Sequence, residues 1–297
     1  MRNKLMLLVL LSATLTAQAA PVDATAQTRN DEVTREVLKF ASSPKLRSSI
    51  ALIYDEQEQN PLYTKNADTV APIASITKLM TAMVVLDAQL PLNEEISISK
   101  QDMDKLKGTH SRMHPGMKLT RGELLRLALM SSENRAAAAL ARTYPGGTSA
   151  AVAMMNIKAL DLGMKDTRFL DPTGLNSGNV STAQDLVKMV QAAQQYGLIQ
   201  EYTTTSSYMV QPTSGRHSRP MRYSNTNPLV KNASWDIGLS KTGYISEAGR
   251  CLVMQAKINQ RPVVIVLLDS WGTRTRVGDA NRIKKWMESA YARARNI

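Results

Sequence analysis

A serine becomes a nucleophile when a neighbouring base takes its proton, and a lysine serves if both side chains share one face. Ser-x-x-Lys on a helix meets that condition, because three residues bring side chains about one turn apart. The pattern occurs three times: Ser42 with Lys45, Ser75 with Lys78, and Ser97 with Lys100. The first contains Pro44 and lies in a polar lead-in. The third reads as a short strand edge with polar flanks. Only Ser75 opens an apolar helical run, after Pro72-Ile73-Ala74. There its hydroxyl sits at the positive end of a helix, where free amides can stabilise a developing oxyanion. An N-capping serine meets the same description, so the pair gains meaning only from partners. Ser132-Glu133-Asn134 is a Ser-x-Asn element between two predicted helices, and Lys241-Thr242-Gly243 lies on a predicted strand. Ser177-Gly178-Asn179 repeats the Ser-x-Asn pattern, but inside a Gly-rich loop.

Other chemistries fail on inventory. The histidines are His110, His114 and His217. No His-Glu-x-x-His is present, and no carboxylate completes a site around His110 and His114. Neither a metal nor a cofactor is expected. No Gly-x-Ser-x-Gly elbow supports a Ser-His-Asp hydrolase. Cys251 is the single cysteine. It reads as a buried structural thiol on a strand rather than as a nucleophile.

These residues need elements to hold them. Residues 48–54 read as a strand, 55–61 as a turn and 62–64 as the returning strand. A helix is expected over 75–88, with Leu79, Met80, Met83, Val84 and Leu86 at helical spacing. Further helices are expected at 121–130, 136–144, 150–162 and 182–196, the last N-capped by Ser181. Asp171-Pro172-Thr173-Gly174-Leu175 is a turn-rich connection. Strands return at 237–246, 251–258 and 263–269, and a last helix at 279–292 covers the sheet with Ile283, Trp286, Met287 and Tyr291. Strands at both ends with helices between imply one α+β unit: an antiparallel sheet interrupted by a helical insertion over about 90–230.

The start of the chain is a leader. Arg2 and Lys4 precede an apolar run at 5–11, and Ala17-Gln18-Ala19 supplies small residues at cleavage spacing, so residues 1–20 read as a secretory signal peptide. Removing them leaves 277 of 297 residues and takes the net charge from +12 to +10. Residues 21–45 read as a mobile lead-in with a short helix near 32–40, and 46–297 as one domain. No later stretch is apolar and long enough to span a bilayer. The basic balance suits an anionic partner such as cell wall. With two Phe in all and no interleaving of basic and aromatic residues, nucleic acid is not a partner. The cluster Arg274, Arg276, Arg282, Lys284 and Lys285 reads as a solvated face.

Taken together, Ser75-Ile76-Thr77-Lys78, Ser132-Glu133-Asn134 and Lys241-Thr242-Gly243 resemble the serine D-Ala-D-Ala peptidases, the low-molecular-mass penicillin-binding proteins. Residues 72–87, 127–137 and Pro145-Gly146-Gly147 look like the endopeptidase branch of that family. So do Thr167-Arg168-Phe169, Pro172-Thr173-Gly174-Leu175 and 249–254. The resemblance implies a fold like the DD-peptidases and β-lactamases, a five-stranded antiparallel sheet flanked by helices, with the site in the cleft against a helical subdomain. It implies a periplasmic enzyme acting on peptidoglycan stem peptides and cross-links, with β-lactam antibiotics as covalent inhibitors. It also implies roles. Ser75 attacks the D-Ala carbonyl, Lys78 is the general base, Ser132 relays a proton to the leaving amine, and Asn134 orients Lys78 and the substrate amide. Lys241, Thr242 and Gly243 bind the substrate, and the amides of Ser75 and Tyr244 form the oxyanion hole. Lys78 must be neutral to act. At an unperturbed pKa of about 10.4 fewer than about one lysine in a thousand is neutral near pH 7. A drop of about three units, roughly 4 kcal/mol, is asked of burial and of Lys241 nearby. A D-Ala-D-Ala carboxypeptidase is the neighbouring alternative. A β-lactamase would need a deacylating base, and no Glu-x-x-Leu-Asn follows the second motif. An inactive wall-binding module would not need all three motifs. Some relatives add a β-domain and an amphipathic anchor, which are not expected after the last helix here.

Overall fold

Residues 50–53 and 263–268 are apolar at every position, a pattern that suits strands covered on both faces. The computed structural model describes residues 43–213 and 219–294. The leader, the lead-in up to residue 42, Ser42 and His217 lie outside the described residues. The strands are β1 (Ile50–Asp55), β2 (Asn60–Lys65), β3 (Ala71–Pro72), β4 (Glu95–Ser97), β5 (Lys118–Thr120), β6 (Val180–Ser181), β7 (Ser207–Val210), β8 (Met221–Ser224), β9 (Asp236–Ile245), β10 (Gly249–Ile258) and β11 (Arg261–Ser270). The helices are α1 (Lys78–Asp87), α2 (Arg121–Met130), α3 (Asn134–Arg142), α4 (Gly147–Asp161), α5 (Ala183–Ala193), α6 (Gly197–Thr204) and α7 (Thr275–Ala294).

The five long strands form one antiparallel sheet in the order β2-β1-β11-β10-β9. One face packs on α7, where Ile283 and Met287 are fully buried against Ile265, Leu267 and Met254, with Trp286 and Tyr291 beside them. The other face packs on α1 and α5, which join Leu52, Val253, Val264 and Val266 in the larger core. Burial from both sides explains the unbroken apolar runs. The structure is thus the α+β fold expected, with six helices and three two-stranded sheets, β3-β6, β4-β5 and β7-β8, between β2 and β9 among the described residues.

Two local expectations change. Ser181 does not cap α5. It pairs with Ala71 in the β3-β6 bridge, and its hydroxyl is shared with Thr167 at 2.7 Å. Thr182 caps instead, its Oγ1 accepting from the Asp185 amide at 3.1 Å. The stretch expected as one helix to residue 196 stops at Ala193, and a further helix, α6, follows from Gly197. By contrast α2 starts where expected, fixed by a capping box in which Thr120 and Glu123 satisfy each other's amides.

Candidate active site

Ser75 lies in a 3-10 turn, Ala74–Thr77, that feeds α1, rather than in the α-helix itself. A 3-10 turn has three residues per turn and eclipses side chains i and i+3. Ser75 and Lys78 therefore face each other, with Lys78 Nζ 2.7 Å from Ser75 Oγ. The turn is entered through Ala74 at φ +48°, a left-handed conformation that costs an L-residue about 1–2 kcal/mol. Two glycines hold it there. A Cβ at Gly174 would stand 1.9 Å from the Ala74 carbonyl oxygen, and one at Gly243 would stand 3.0 Å from the Ser75 nitrogen. Only residues without side chains let the 171–175 turn and β9 close on this peptide from two directions.

Lys78 is 1% exposed and fully coordinated. Its Nζ lies 2.7 Å from each of three oxygens: Ser75 Oγ, Asn134 Oδ1 and the Thr173 carbonyl. Burial pulls its pKa down to about 7, against the opposing pull of the Asp171 and Glu133 carboxylates. The sequence argument also asked Lys241 to depress it. Burial does that work, and the repulsion shows instead on Lys241. An ammonium at Lys78 would give one hydrogen to each oxygen. The neutral amine keeps two, for Asn134 and Thr173, and turns its lone pair to the Ser75 hydroxyl. The arrangement is one in which a lysine can serve as base to a serine nucleophile.

Ser132 and Asn134 come from the reversal between α2 and α3. The amides of Ser131 and Glu133 both donate to the Leu127 carbonyl, at 3.2 and 3.1 Å, and Ser132 sits between them at φ +61°. Asn134 begins α3, its Nδ2 held by Thr109 Oγ1 at 3.0 Å. Ser132 Oγ accepts from Lys241 Nζ at 2.8 Å, so it touches the third motif rather than Lys78. Lys241 reaches it from β9 and is itself buried. Its pKa is held well below the usual lysine range by burial, then by the charges of Lys78 and Arg276. Thr242 Oγ1 donates to Thr226 Oγ1 at 2.6 Å. Tyr244 ends this run, 57% exposed, with the Arg250 guanidinium 4.6 Å from its ring centre.

Several contributors were given no role by the sequence. Thr173 supplies only a backbone oxygen, and Gly174 only an absence. Arg276, expected on a solvated face, donates to the carbonyls of Gly243 at 2.9 Å and Cys251 at 3.3 Å. Burial, then Arg250, lowers its pKa to about 10. It braces β9 from behind the substrate motif, which its position on a basic helix could not reveal. Asn179, in the decoy Ser-x-Asn, is fully buried and staples its own loop. Its side chain accepts from the Leu170 amide at 2.8 Å and donates to Thr77 Oγ1 at 3.1 Å. The Asp171 carboxylate accepts from the amides of Thr173, Gly174 and Asn176 at 2.6, 2.9 and 2.8 Å. Ser97 and Lys100 are both exposed, the first ending β4 and the second opening a separate 3-10 turn. Cys251 is fully buried, and burial pushes its thiol up to about 12.

The molecule has known relatives. The model of the D-alanyl-D-alanine carboxypeptidase family matches residues 38–272. The chain is 48% identical over 251 residues to a D-alanyl-D-alanine endopeptidase of Pseudomonas aeruginosa, covering 84% of this chain and 80% of that one. It is 47% identical over 249 residues to one of Escherichia coli, with the same shares of 84% and 80%. Among solved structures, a Streptomyces DD-transpeptidase has a TM-score of 0.77 at 30% identity, covering 84% of this chain and 99% of its own. A penicillin-binding protein of Listeria monocytogenes in its ampicillin-bound form has a TM-score of 0.71 at 26% identity, covering 83% and 99%. With the family model spanning most of the described residues, the chain belongs to the D-alanyl-D-alanine carboxypeptidase family of serine peptidases.

Proposed function

We propose that this protein is an exported serine endopeptidase that hydrolyses D-alanyl cross-links in peptidoglycan through an acyl-enzyme on Ser75. The observation that carries the chemistry is the buried amine of Lys78, 2.7 Å from Ser75 Oγ. The choice of bond is supported by the name shared by the Pseudomonas aeruginosa and Escherichia coli relatives, D-alanyl-D-alanine endopeptidase.

In this mechanism Ser75 Oγ attacks the D-alanyl carbonyl carbon while Lys78 Nζ takes the hydroxyl proton. The oxyanion receives the amides of Ser75 and Tyr244, which belong to the turn and the strand that meet at Gly243. Losing one such donor typically costs about 3–4 kcal/mol in the transition state. The C–N bond then breaks, and the leaving amine collects the proton that Lys78 took, relayed by Ser132, whose Oγ accepts from Lys241 Nζ at 2.8 Å. Asn134 keeps Lys78 aimed and offers its amide to the substrate. Lys241 and Thr242 receive a carboxylate on the leaving side. Water finally hydrolyses the Ser75 ester. A β-lactam opened by Ser75 gives the same kind of ester. Asp171, the carboxylate of the nearby turn, is already occupied by its own loop amides, so it does not serve as a base for deacylation and the adduct persists.

Residues 1–20 carry the chain out of the cytoplasm, and the enzyme works in the periplasm. Among the described residues no helix is long and apolar enough to cross a membrane. The neighbouring reading, a carboxypeptidase that trims terminal D-Ala, is favoured by the wording of the family model and by the names of relatives of lower identity. Chromatography of purified cross-linked muropeptide dimers separates the two. Wild type should release monomers, and Ser75→Ala should release nothing and fail to label with a fluorescent penicillin. Release of free D-Ala without monomers would overturn the endopeptidase assignment. A labelled Ser75→Ala would overturn the nucleophile.

A further inference from the structure

Glu133 stands between two residues of the site, Ser132 and Asn134, and the mechanism above gives it no part. It is half-buried, and its Oε2 accepts from Ser111 Oγ at 2.7 Å. Ser111 Oγ in turn accepts from the Met113 amide at 3.1 Å. Two further bonds join the same segments. Asn134 Nδ2 donates to Thr109 Oγ1 at 3.0 Å, and Arg135 donates to the Met113 carbonyl. Residues 109–113 are thus tied to three successive residues of the second motif and the start of α3.

The charged and titratable groups around the Glu133 carboxylate come from four elements. They are Arg112 of the 109–113 segment, Arg135 of α3, Lys78 of α1 and Tyr223 of β8. The Tyr223 hydroxyl is buried without a hydrogen-bond partner among the described residues. Burial, then the Glu133 charge, pushes its pKa up to about 12, and the Arg112 guanidinium lies 4.1 Å from its ring centre. Burial raises the Glu133 pKa, opposed by the Ser111 hydrogen bond and the three cations. Lys78 for its part is faced by two carboxylates, Asp171 and Glu133, and by the Lys241 amine. Asp171 already accepts from three of its own loop amides.

We propose that Glu133 is a positioning residue for acylation: fixed by Ser111 beside Asn134, its carboxylate stabilises the ammonium that Lys78 becomes on taking the Ser75 proton. The inference rests on Lys78 as the base. A neutral amine gains little from a nearby carboxylate, whereas the ammonium formed during attack gains a full charge pair. An interaction stronger after proton transfer than before it lowers the barrier. The bonds from 109–113 keep the carboxylate and Asn134 in one rigid unit, so the charge stays where the proton arrives.

Glu133→Gln keeps the side chain's size and can still accept from Ser111, but it carries no charge. The rate of acylation by a fluorescent penicillin, followed across pH, should rise through a midpoint about one pH unit below that of wild type, because the ammonium has lost an anionic neighbour. It should level off at a lower plateau, since Lys78 is then a weaker base. Glu133→Asp retains the charge and should keep the wild-type midpoint even where its plateau falls. Ser111→Ala removes a hydrogen bond that favours ionised Glu133, so Glu133 stays neutral to higher pH and the midpoint should move the same way as in Glu133→Gln, by less. That variant decides the matter if Glu133→Gln does not fold. A role in structure alone would change plateaus and leave midpoints in place, so a wild-type midpoint in Glu133→Gln would refute the inference. A wild-type profile that is itself flat would remove Lys78 as the base and this inference with it.

Discussion

Lys78 can act as a base only in the fraction of molecules where it is neutral, and that fraction is set by burial. A pKa of about 7 means that the amine is protonated on the acid side and free above it. The rate of acylation by a fluorescent penicillin should therefore rise with pH through about 7 and level off above it. Lys78→Arg places a guanidinium that stays charged throughout, so it should lose the rising limb and about a thousandfold in rate, the scale of general base catalysis. Stopped-flow acylation across that range checks both, and a flat wild-type profile would rule Lys78 out as the titrating base. The Ser75–Lys78 pair was legible because spacing and helix context separated it from the two other Ser-x-x-Lys matches. The burial that sets its pKa was not, since Lys78 is covered by Asn134 and Thr173, which are 56 and 95 residues away in the chain.

The element that makes the site is the short turn at Ala74–Thr77, held between two glycines. Gly174→Ala would set a Cβ 1.9 Å from the Ala74 carbonyl oxygen at a position with φ +82°. The turn must then move, and a shift on the order of 1 Å at a reacting group can cost about a hundredfold. Gly174→Ala should keep its far-UV circular dichroism but lose penicillin acylation by that factor. Gly163→Ala is the matched control: its φ is +68° and nothing lies within 4 Å of the added Cβ. It should show the conformational penalty, about 1 kcal/mol, in its urea midpoint and acylate normally. Normal acylation by Gly174→Ala would show that the clamp does not set the position of Ser75. Sequence reading placed Gly174 in a turn and in a stretch that resembles the family, but gave it no role. Its role depends on which segment packs across it.

At the scale of the whole molecule, two lysines are buried near one another with their pKa values depressed. In the unfolded chain both bind protons up to about pH 10.4. Between about pH 7 and that limit the unfolded state therefore holds more protons than the folded one, and stability rises with pH. Cys251, raised to about 12, works in the opposite sense above its unperturbed value of about 8.5. The clean window is thus about pH 7 to 8.5, where the urea midpoint should increase. An unchanged or falling midpoint would show that burial of the two amines is not the governing term. The fold accepts this cost in a site enclosed by the sheet edge, α3 and the 171–175 turn.

The sequence by itself determined the chemistry and the class of fold. Three short motifs of the right types single out the nucleophile and base proposed here and a cationic strand. Apolar runs at both ends of the chain require a sheet covered on two faces. Only the tertiary structure decided how far the motifs cooperate. It placed Ser132 against Lys241 instead of Lys78, turned Arg276 inward to brace Gly243, and made a backbone oxygen at Thr173 the third partner of Lys78. It also gave Thr182 the cap expected of Ser181. The physical reason is common to all four. Side-chain type and local periodicity are written in neighbouring residues, whereas burial, backbone acceptors and close approach arise only where distant segments meet.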